Sequence, residues 1–395
     1  MIAFRGRWTP DDRAASIYQY LSFEVPPSCV GVRVALSYDR SAGVLDLGCL
    51  DPLGWRGWSG GARSVVLLGE SASTPGYLDR GVPAGEWAVV LGLHRLASAG
   101  VPYEVTVTFG AVDVTAPAVP PVPPPGAARP PRRDLPSADG LHWLAGDLHA
   151  HTVHSDGGLT VPELAALGVE QGLDFLAVTD HNTVSHHAEL AGVRSDIELI
   201  PGQELTTADG HANAFGDIGW IDFRRPASSW VDEVAGRGGV LSINHPIGYD
   251  CAWRHPLNAP IPYAEVWHSS WSDRRDGGAL AWWQAAGLPV PVGGSDWHRP
   301  GSDARPGTPT TWIACADGDV LGGLAAGRTA ISAGRDAPVL LRVGDELVAV
   351  DADGAMLVCP DGRRTPVRGS RAGFADHPEP HLLETDDRTV IAIAA

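Results

Sequence analysis

Histidine is spread unevenly along this 395-residue chain: twelve of its fifteen lie between His142 and His298. They recur beside carboxylates in short runs, GDLHAHTVHSDG (146–157), FLAVTDHN (175–182), LIPGQELTT (199–207), GHANAFG (210–216), LSINHP (241–246), AEVWHSS (264–270) and GGSDWH (293–298). A lone histidine is more often a surface or core residue satisfied by a hydrogen bond, but a series of this kind calls for a common cause. Neutral imidazole with carboxylate is a ligand set suited to Zn²⁺, Mn²⁺ or Fe²⁺, whereas Mg²⁺ prefers an oxygen-dominated site. His149 and His151 are two apart, so on an extended strand both side chains point to one face, where two imidazoles can grip one ion. A glutamate such as Glu204 can bridge two ions through its two oxygens. Two ions held ~3.5–4 Å apart can bind a shared hydroxide and polarise a substrate oxygen, which is the chemistry of a metal-dependent hydrolase.

The elements that must position these groups are visible in the texture of the chain. From Leu141 to Ser332, short apolar runs ending in His, Asp or Glu alternate with helical stretches such as VPELAALGVEQG and GGALAWWQAAG, the pattern of parallel β/α units. In barrels built from such units the functional groups sit at the C-terminal ends of the strands. Residues 1–114 instead alternate apolar runs (VRVAL, VLDLGCL, EWAVVLG, YEVTVTF) with Gly, Pro, Ser and Asp clusters, a β-sandwich pattern. Residues 115–140 form a Pro-rich linker, and 333–395 read as a small C-terminal β segment. All the ligand runs follow the linker, so the chemistry is expected in the α/β unit and the sandwich is expected to be an accessory.

Composition narrows the partners. A formal net charge of −18 repels polyanions, so a small-molecule substrate is expected rather than a nucleic-acid polymer. No stretch approaches the ~20 uninterrupted apolar residues of a membrane span, and the N-terminus, MIAFRGRWTPDDRAAS, has no secretory h-region; a cytoplasmic protein without membrane contact is expected. Cys29, Cys49, Cys251, Cys315 and Cys359 are odd in number and scattered, with no C-x-x-C pair, and read as buried thiols.

In order, D-x-H-x-H-T…S-D-G, T-D-H-N, G-x-E, G-H, N-H-P and S-D-x-H resemble the PHP (polymerase and histidinol phosphatase) family, and the detail resembles its carbaryl-hydrolase-like branch. The resemblance covers residues 141–332 and implies a distorted (β/α)7 barrel with two or three divalent ions, Mn, Zn or Fe. It implies that His149, His151, Glu204 and Asp296 hold the first ion, that Glu204 bridges to a second held also by His211 and His245, and that Asp156, His181 and His298 hold a third. Asp147 and Asp180, each directly before a ligand run, are expected to orient the imidazoles, and Asp180 is counted with Glu204 and His268 as a catalytic candidate. His154 lies close enough to compete with Asp156. His268 stands where relatives often carry asparagine, as an extra ligand, a leaving-group acid or a substrate contact.

Phosphoester hydrolysis is the expected activity, with Arg299 and Arg328 as candidate phosphate contacts and His255, in the loop YDCAWRHPLNAPIPY, as a candidate lid residue over the substrate. The same centre admits amide, carbamate or carboxylic-ester hydrolysis, because activated water does not distinguish phosphorus from carbon until the pocket positions the substrate. A third reading, a ligand-binding protein with an inert barrel, has only Trp55 and Trp58 in GWRGW as a signature within the sandwich, and turn or core packing explains them equally. Trp253, Trp267, Trp271, Trp282, Trp283 and Trp297 are either pocket lining or packing, packing being the commoner fate.

Overall fold

The structure, a computed structural model, describes residues 1–114, 129–248, 251–256, 260–302, 304–375 and 379–395; residues 115–128, most of the Pro-rich linker, lie outside the described residues. Two four-stranded antiparallel sheets make the N-terminal unit. One has the order Ile2–Trp8, Val101–Phe109, Gly31–Tyr38, Val65–Gly69 and the other Tyr18–Val25, Gly85–Leu96, Gly43–Asp51, Gly54–Gly60. Alternation along the strands sends Leu45, Leu47 and Cys49, and likewise Val89, Leu91 and Leu93, into a shared core with Val32, Val34, Val105 and Val107.

The α/β unit is built on an arc of strands in the order Val290–Gly294, Tyr263–His268, Val240–Ile243, Gly210–Phe215, Glu198–Thr207, Phe175–Val178, His142–Asp147, Thr310–Cys315 and Thr329–Ser332. Leu144, Phe175, Ile200, Phe215, Val240, Tyr263, Val292 and Ile313 come from eight of these strands and meet in one buried cluster. The helices Val161–Glu170 and Gly278–Ala285 form where the sequence places them. Val161–Glu170 starts at a capping box in which the Glu163 carboxylate accepts from the Thr160 N–H at 2.8 Å.

The expected (β/α)7 barrel is met only as a mixed α/β sheet. Among the described residues no ring of backbone-paired strands closes. Glu198–Thr207, Gly210–Phe215 and Val240–Ile243 pair antiparallel, as do Thr310–Cys315 and His142–Asp147, which breaks the parallel alternation. The arc comes round through side chains instead: Thr311 Oγ1 accepts from the Gly293 N–H and donates to its carbonyl, both at 2.7 Å, and Thr329 Oγ1 of the last strand donates to the Pro291 carbonyl of the first at 2.8 Å. The antiparallel step arises at Ala208–Asp209–Gly210, where Gly210 takes φ +125° and reverses the chain. Beyond Thr329–Ser332 the sheet continues into the C-terminal segment through Val390–Ala394, His381–Glu384, Met356–Val358 and Arg364–Pro366, so that segment extends the central sheet.

The sandwich docks by the outward face of its second sheet. Trp55, Trp58 and Val90 share a buried cluster with Leu205, Ile221, Phe223 and Trp230 of the α/β unit. Each such side chain, fully buried, stabilises the contact by roughly 1.5–3 kcal/mol. Polar contacts fix the docking: the Trp55 indole N–H donates to the Asn182 carbonyl at 3.2 Å, Thr183 Oγ1 donates to the Gly76 carbonyl at 2.8 Å, and the Arg63 guanidinium donates to the carbonyls of Val153 and, at 2.8 Å, Ser155.

Candidate metal centre

The ligand runs converge because strand alternation and two bridges align them. Ala150 pairs in parallel with Trp297, so His149 and His151 lie beside Asp296 and His298. Ala150 and Trp297 themselves point the other way, into the apolar cluster of Val161, Leu164, Leu176 and Val178. A second bridge joins His181 to Glu204, and the hairpin of Glu198–Thr207 and Gly210–Phe215 sets Thr206 opposite His211, which returns His211 to Glu204. Asp296 (φ +51°) and His245 (φ +26°) adopt backbone conformations uncommon for side-chain-bearing residues, a form of strain that accumulates at functional sites.

Glu204 sits at the middle, fully buried. Its Oε1 lies 3.2 Å from His149 Nε2, 3.2 Å from His211 Nδ1 and 3.4 Å from His245 Nε2; its Oε2 lies 2.6 Å from His181 Nδ1 and 3.5 Å from His151 Nε2. Asp296 Oδ1 lies 3.1 Å from His149 Nε2 and 3.0 Å from His151 Nε2. Asp156 Oδ1 lies 3.5 Å from His181 Nε2 and 3.4 Å from His298 Nε2. Two ligand atoms on one tetrahedral ion, each about 2.0–2.2 Å from it, stand roughly 3.3–3.5 Å apart, so this spacing suits atoms that share an ion. Four groups bring one ligand atom from each residue within 4.8 Å of one another: His149, His151 and Glu204; His181, Glu204 and His211; His149, His245 and Asp296; and His151, Asp156, His181 and His298. His149 Nε2, Glu204 Oε2 and His268 Nε2 are buried and, despite these close approaches, lack a hydrogen bond of proper geometry, which is costly unless a cation takes them up. The residues therefore fit divalent ions.

Electrostatics agree. Burial pushes the Glu204 carboxyl up, but His181, His149 and His211 outweigh it and hold it well below the usual carboxylate range. Burial likewise raises Asp296, and His149 and His151 hold it well below. His151 moves the opposite way, down to about 4, through burial and the facing imidazoles of His298 and His181, which leaves it neutral and able to ligate.

The comparisons with known proteins match only part of the chain or align at low similarity. No family model matches the chain. It is 43% identical over 63 residues to a 5'-3' exoribonuclease of Haemophilus influenzae, and 43% identical over 68 residues to the 5'-3' exoribonuclease Rnm of Escherichia coli; each match spans 15% of this chain. The matched part is less than a quarter of either relative, 23% and 22% of their lengths. Among solved structures, a Bacteroides vulgatus "two-domain protein containing predicted PHP-like metal-dependent phosphoesterase" aligns over 68% of this chain and 91% of its own, at 18% identity and TM-score 0.39. An amidohydrolase from Chromobacterium violaceum aligns over 40% of this chain and 89% of its own, at 19% identity and TM-score 0.32. Likenesses at these TM-scores fix neither the fold nor the activity.

The residues expected to orient the ligands hydrogen-bond the backbone and hydroxyls of the ligand loops, and neither contacts an imidazole of the ligand groups. Asp147 accepts the N–H groups of His149 (3.0 Å), Ser295 (3.1 Å) and Gly307 (2.7 Å), tying the His149 and Asp296 segments together. Asp180, expected among the catalytic residues, accepts from Thr152 N (2.9 Å), Thr152 Oγ1 (2.6 Å) and Ser155 Oγ (2.6 Å), and braces the loop behind His151. The imidazole is held by a residue the sequence reading passed over: Glu265 Oε1 stands 3.1 Å from His149 Nδ1, and its Oε2 accepts the His245 N–H at 2.8 Å. Gly294 makes this possible, since a Cβ there would stand 2.1 Å from Glu265 Oε1. The signal was available: Glu265 is a carboxylate inside an otherwise apolar strand, three residues before His268. Asn244, also passed over, donates to Glu204 Oε1 at 2.8 Å. Glu265→Gln should weaken metal affinity by about 10- to 100-fold, the usual cost of losing such a partner, as read by titration of the apoprotein with Zn²⁺ or Mn²⁺. Unchanged affinity would show that His149 needs no such support.

Other expectations shift. His268 joins the cluster, its Nε2 3.4 Å from Asp296 Oδ2 and its Nδ1 2.7 Å from Ser270 Oγ. His154 does not: its nitrogens meet Ser185 Oγ at 2.7 Å and Glu189 Oε1 at 3.0 Å. Arg328 is no phosphate contact, because its Nε donates to the Ala314 carbonyl at 2.8 Å, and Thr310–Cys315 pairs Cys315 with His142, at the end of the His142–Asp147 strand away from the ligands. His255 stands 2.9 Å from Thr207 Oγ1 and is packed on Trp253 and Trp230. Arg299 follows His298 but is exposed. Trp55, Trp58, Trp267, Trp271, Trp283 and Trp297 are buried in apolar clusters. Cys49 and Cys315 are buried, whereas Cys29, Cys251 and Cys359 are half-buried. No helix among the described residues is long and apolar enough to cross a membrane.

Proposed function

We propose that this chain is a metal-dependent hydrolase of PHP type, a phosphoesterase acting on a small phosphorylated or nucleotide-like substrate. The observation that carries the reading is the shared use of Glu204 by two ligand groups beside a further group of His151, Asp156, His181 and His298, a donor set for two or three divalent ions. When bound, such ions would activate water and neutralise charge on the substrate oxygens. The protein's part is to hold the donors fixed: Glu204 spans the groups, Asp147 and Asp180 brace their loops, and Glu265 sets His149. His268 turns its Nε2 to Asp296 while its Nδ1 meets Ser270 Oγ, which makes it a further ligand candidate at the edge of the cluster. Exposed Arg299 is the remaining candidate phosphate contact.

One observation favours the second reading, hydrolysis of an amide, carbamate or carboxylic ester. The cavity beside the centre is lined by Tyr18, Trp58, Asp156, His181 and His211 among others, and by no lysine or arginine among the described residues. A chelated preparation should lose its activity, and Mn²⁺, Zn²⁺ or Fe²⁺ should restore it, when assayed on phosphomonoesters, phosphodiesters, nucleotides, aryl esters and carbamates. Full activity of a demonstrably metal-free protein would end both readings, and turnover confined to esters or carbamates would select the second.

A further inference from the structure

The sandwich is more than an accessory, because the outward face of its second sheet forms one wall of that cavity. In Gly43–Asp51 the residues facing away from the sandwich core are Val44, Asp46, Gly48 and Leu50, and in Gly85–Leu96 they include Val90, Gly92 and His94. Part of this face is sealed against Phe223 and Trp230, but the part around Asp46 stays open to a cavity of about 290 Å³, with Asp156, His181 and His211 of the metal centre on the facing side. Glycines keep it hollow: a Cβ on Gly92 would stand 2.9 Å from Asp46 Oδ2 and 3.0 Å from the Trp58 ring, and one on Gly48 would stand 2.3 Å from that ring. Among the described residues none donates a hydrogen bond to the Asp46 carboxylate. A half-buried carboxylate without a donor, walled by ring edges and opposite a reaction centre, is an acceptor that lacks its partner.

We propose that this wall is a leaving-group subsite: a substrate held at the metal centre by its phosphoryl or acyl group places a hydroxyl or a protonated amine of its alcohol portion against Asp46. The subsite rests on the hydrolase reading above, but not on which bond is cleaved. A flat or compact polar leaving group would lie along Tyr18 and the Trp58 edge, and a purely aliphatic one would leave Asp46 desolvated and unpaired, the arrangement that discriminates most strongly.

The test uses the full-length, metal-loaded chain and three alcohols, propanol, glycerol and 3-(dimethylamino)propanol, each as its phosphate and as its acetate ester. The wild-type protein should favour one of the two donor-bearing alcohols over propyl by about tenfold to a hundredfold in kcat/KM, the range for a hydrogen bond to a charged group, and mainly through KM. Which alcohol is favoured separates hydroxyl from ammonium recognition. Asp46→Asn and Asp46→Ala should erase most of that preference while metal content stays at the wild-type level. Turnover of the acetates alone would remove the phosphoesterase reading and leave the Asp46 comparison intact. Calorimetric binding of the six esters gives the same comparison if none is turned over. Equal handling of propyl and donor-bearing esters by the wild type, a preference that survives Asp46→Ala, or a uniform loss on all esters that marks mere support of His181, would each overturn the proposal.

Discussion

Glu204→Gln should give a folded protein that binds fewer ions and turns over substrate about a thousandfold more slowly or worse, the upper range for removing a group that organises transition-state charge. The substitution keeps the side chain's shape and takes away one charge. That charge stands within 3.5 Å of five imidazoles, those of His149, His151, His181, His211 and His245. The amide offers one acceptor oxygen and would turn an N–H₂ donor toward the other imidazoles, so two ligand groups are damaged together. Metal stoichiometry by mass spectrometry and single-turnover rates check both halves of the expectation. Normal stoichiometry with normal turnover would remove Glu204 from the bridging position.

Much of this site was legible because ligands announce themselves by residue type. His149 and His151, two apart on a strand-like segment, and Asp296 and His298, two apart in G-G-S-D-W-H, needed only period-two alternation to be placed on one side of their chain. What the sequence hid was pairing. Nothing in T-A-D-G-H says that the chain folds straight back so that His211 returns to Glu204, and the expectation of uniform parallel units failed there for that reason. Glu265 was hidden by its ordinary appearance, since its work depends on the space left by Gly294, twenty-nine positions on in the sequence but on the neighbouring strand of the sheet. Arg328 misled because an arginine near a strand start reads the same at either end of the sheet, and only register sets it beside Ala314. Asp46 was hidden more completely. Its strand was read correctly as sandwich, but which sheet face meets another unit is decided by docking between surfaces far apart in sequence.

The second large effect separates the two hydrolytic readings. Asp156→Ala should lower phosphomonoester turnover by more than about a hundredfold, in the range for losing a group that stabilises transition-state charge, and should lower aryl-ester turnover much less. A phosphate monoester brings about two negative charges and needs the full cationic cluster, whereas a neutral ester can be served by the groups around Glu204 alone. Asp156 is the cleaner probe because its carboxylate touches only His181 and His298 among the ligands. His181→Ala should show the same selectivity with a larger general loss, since His181 also lies 2.6 Å from Glu204 Oε2. An enzyme that hydrolyses carbamates or aryl esters efficiently, has no phosphatase activity, and is indifferent to Asp156→Ala would transfer the assignment to the ester and amide reading.

The central claim, that the histidines and carboxylates between His149 and His298 exist to hold metal, is met most directly by the metal content of the purified full-length chain. Elemental analysis after removal of loosely bound ions should find two or three equivalents of Mn, Zn or Fe per chain, falling with Glu204→Gln in step with activity. A wild-type protein that is active yet holds no divalent ion, and takes none up when it is offered, would contradict it.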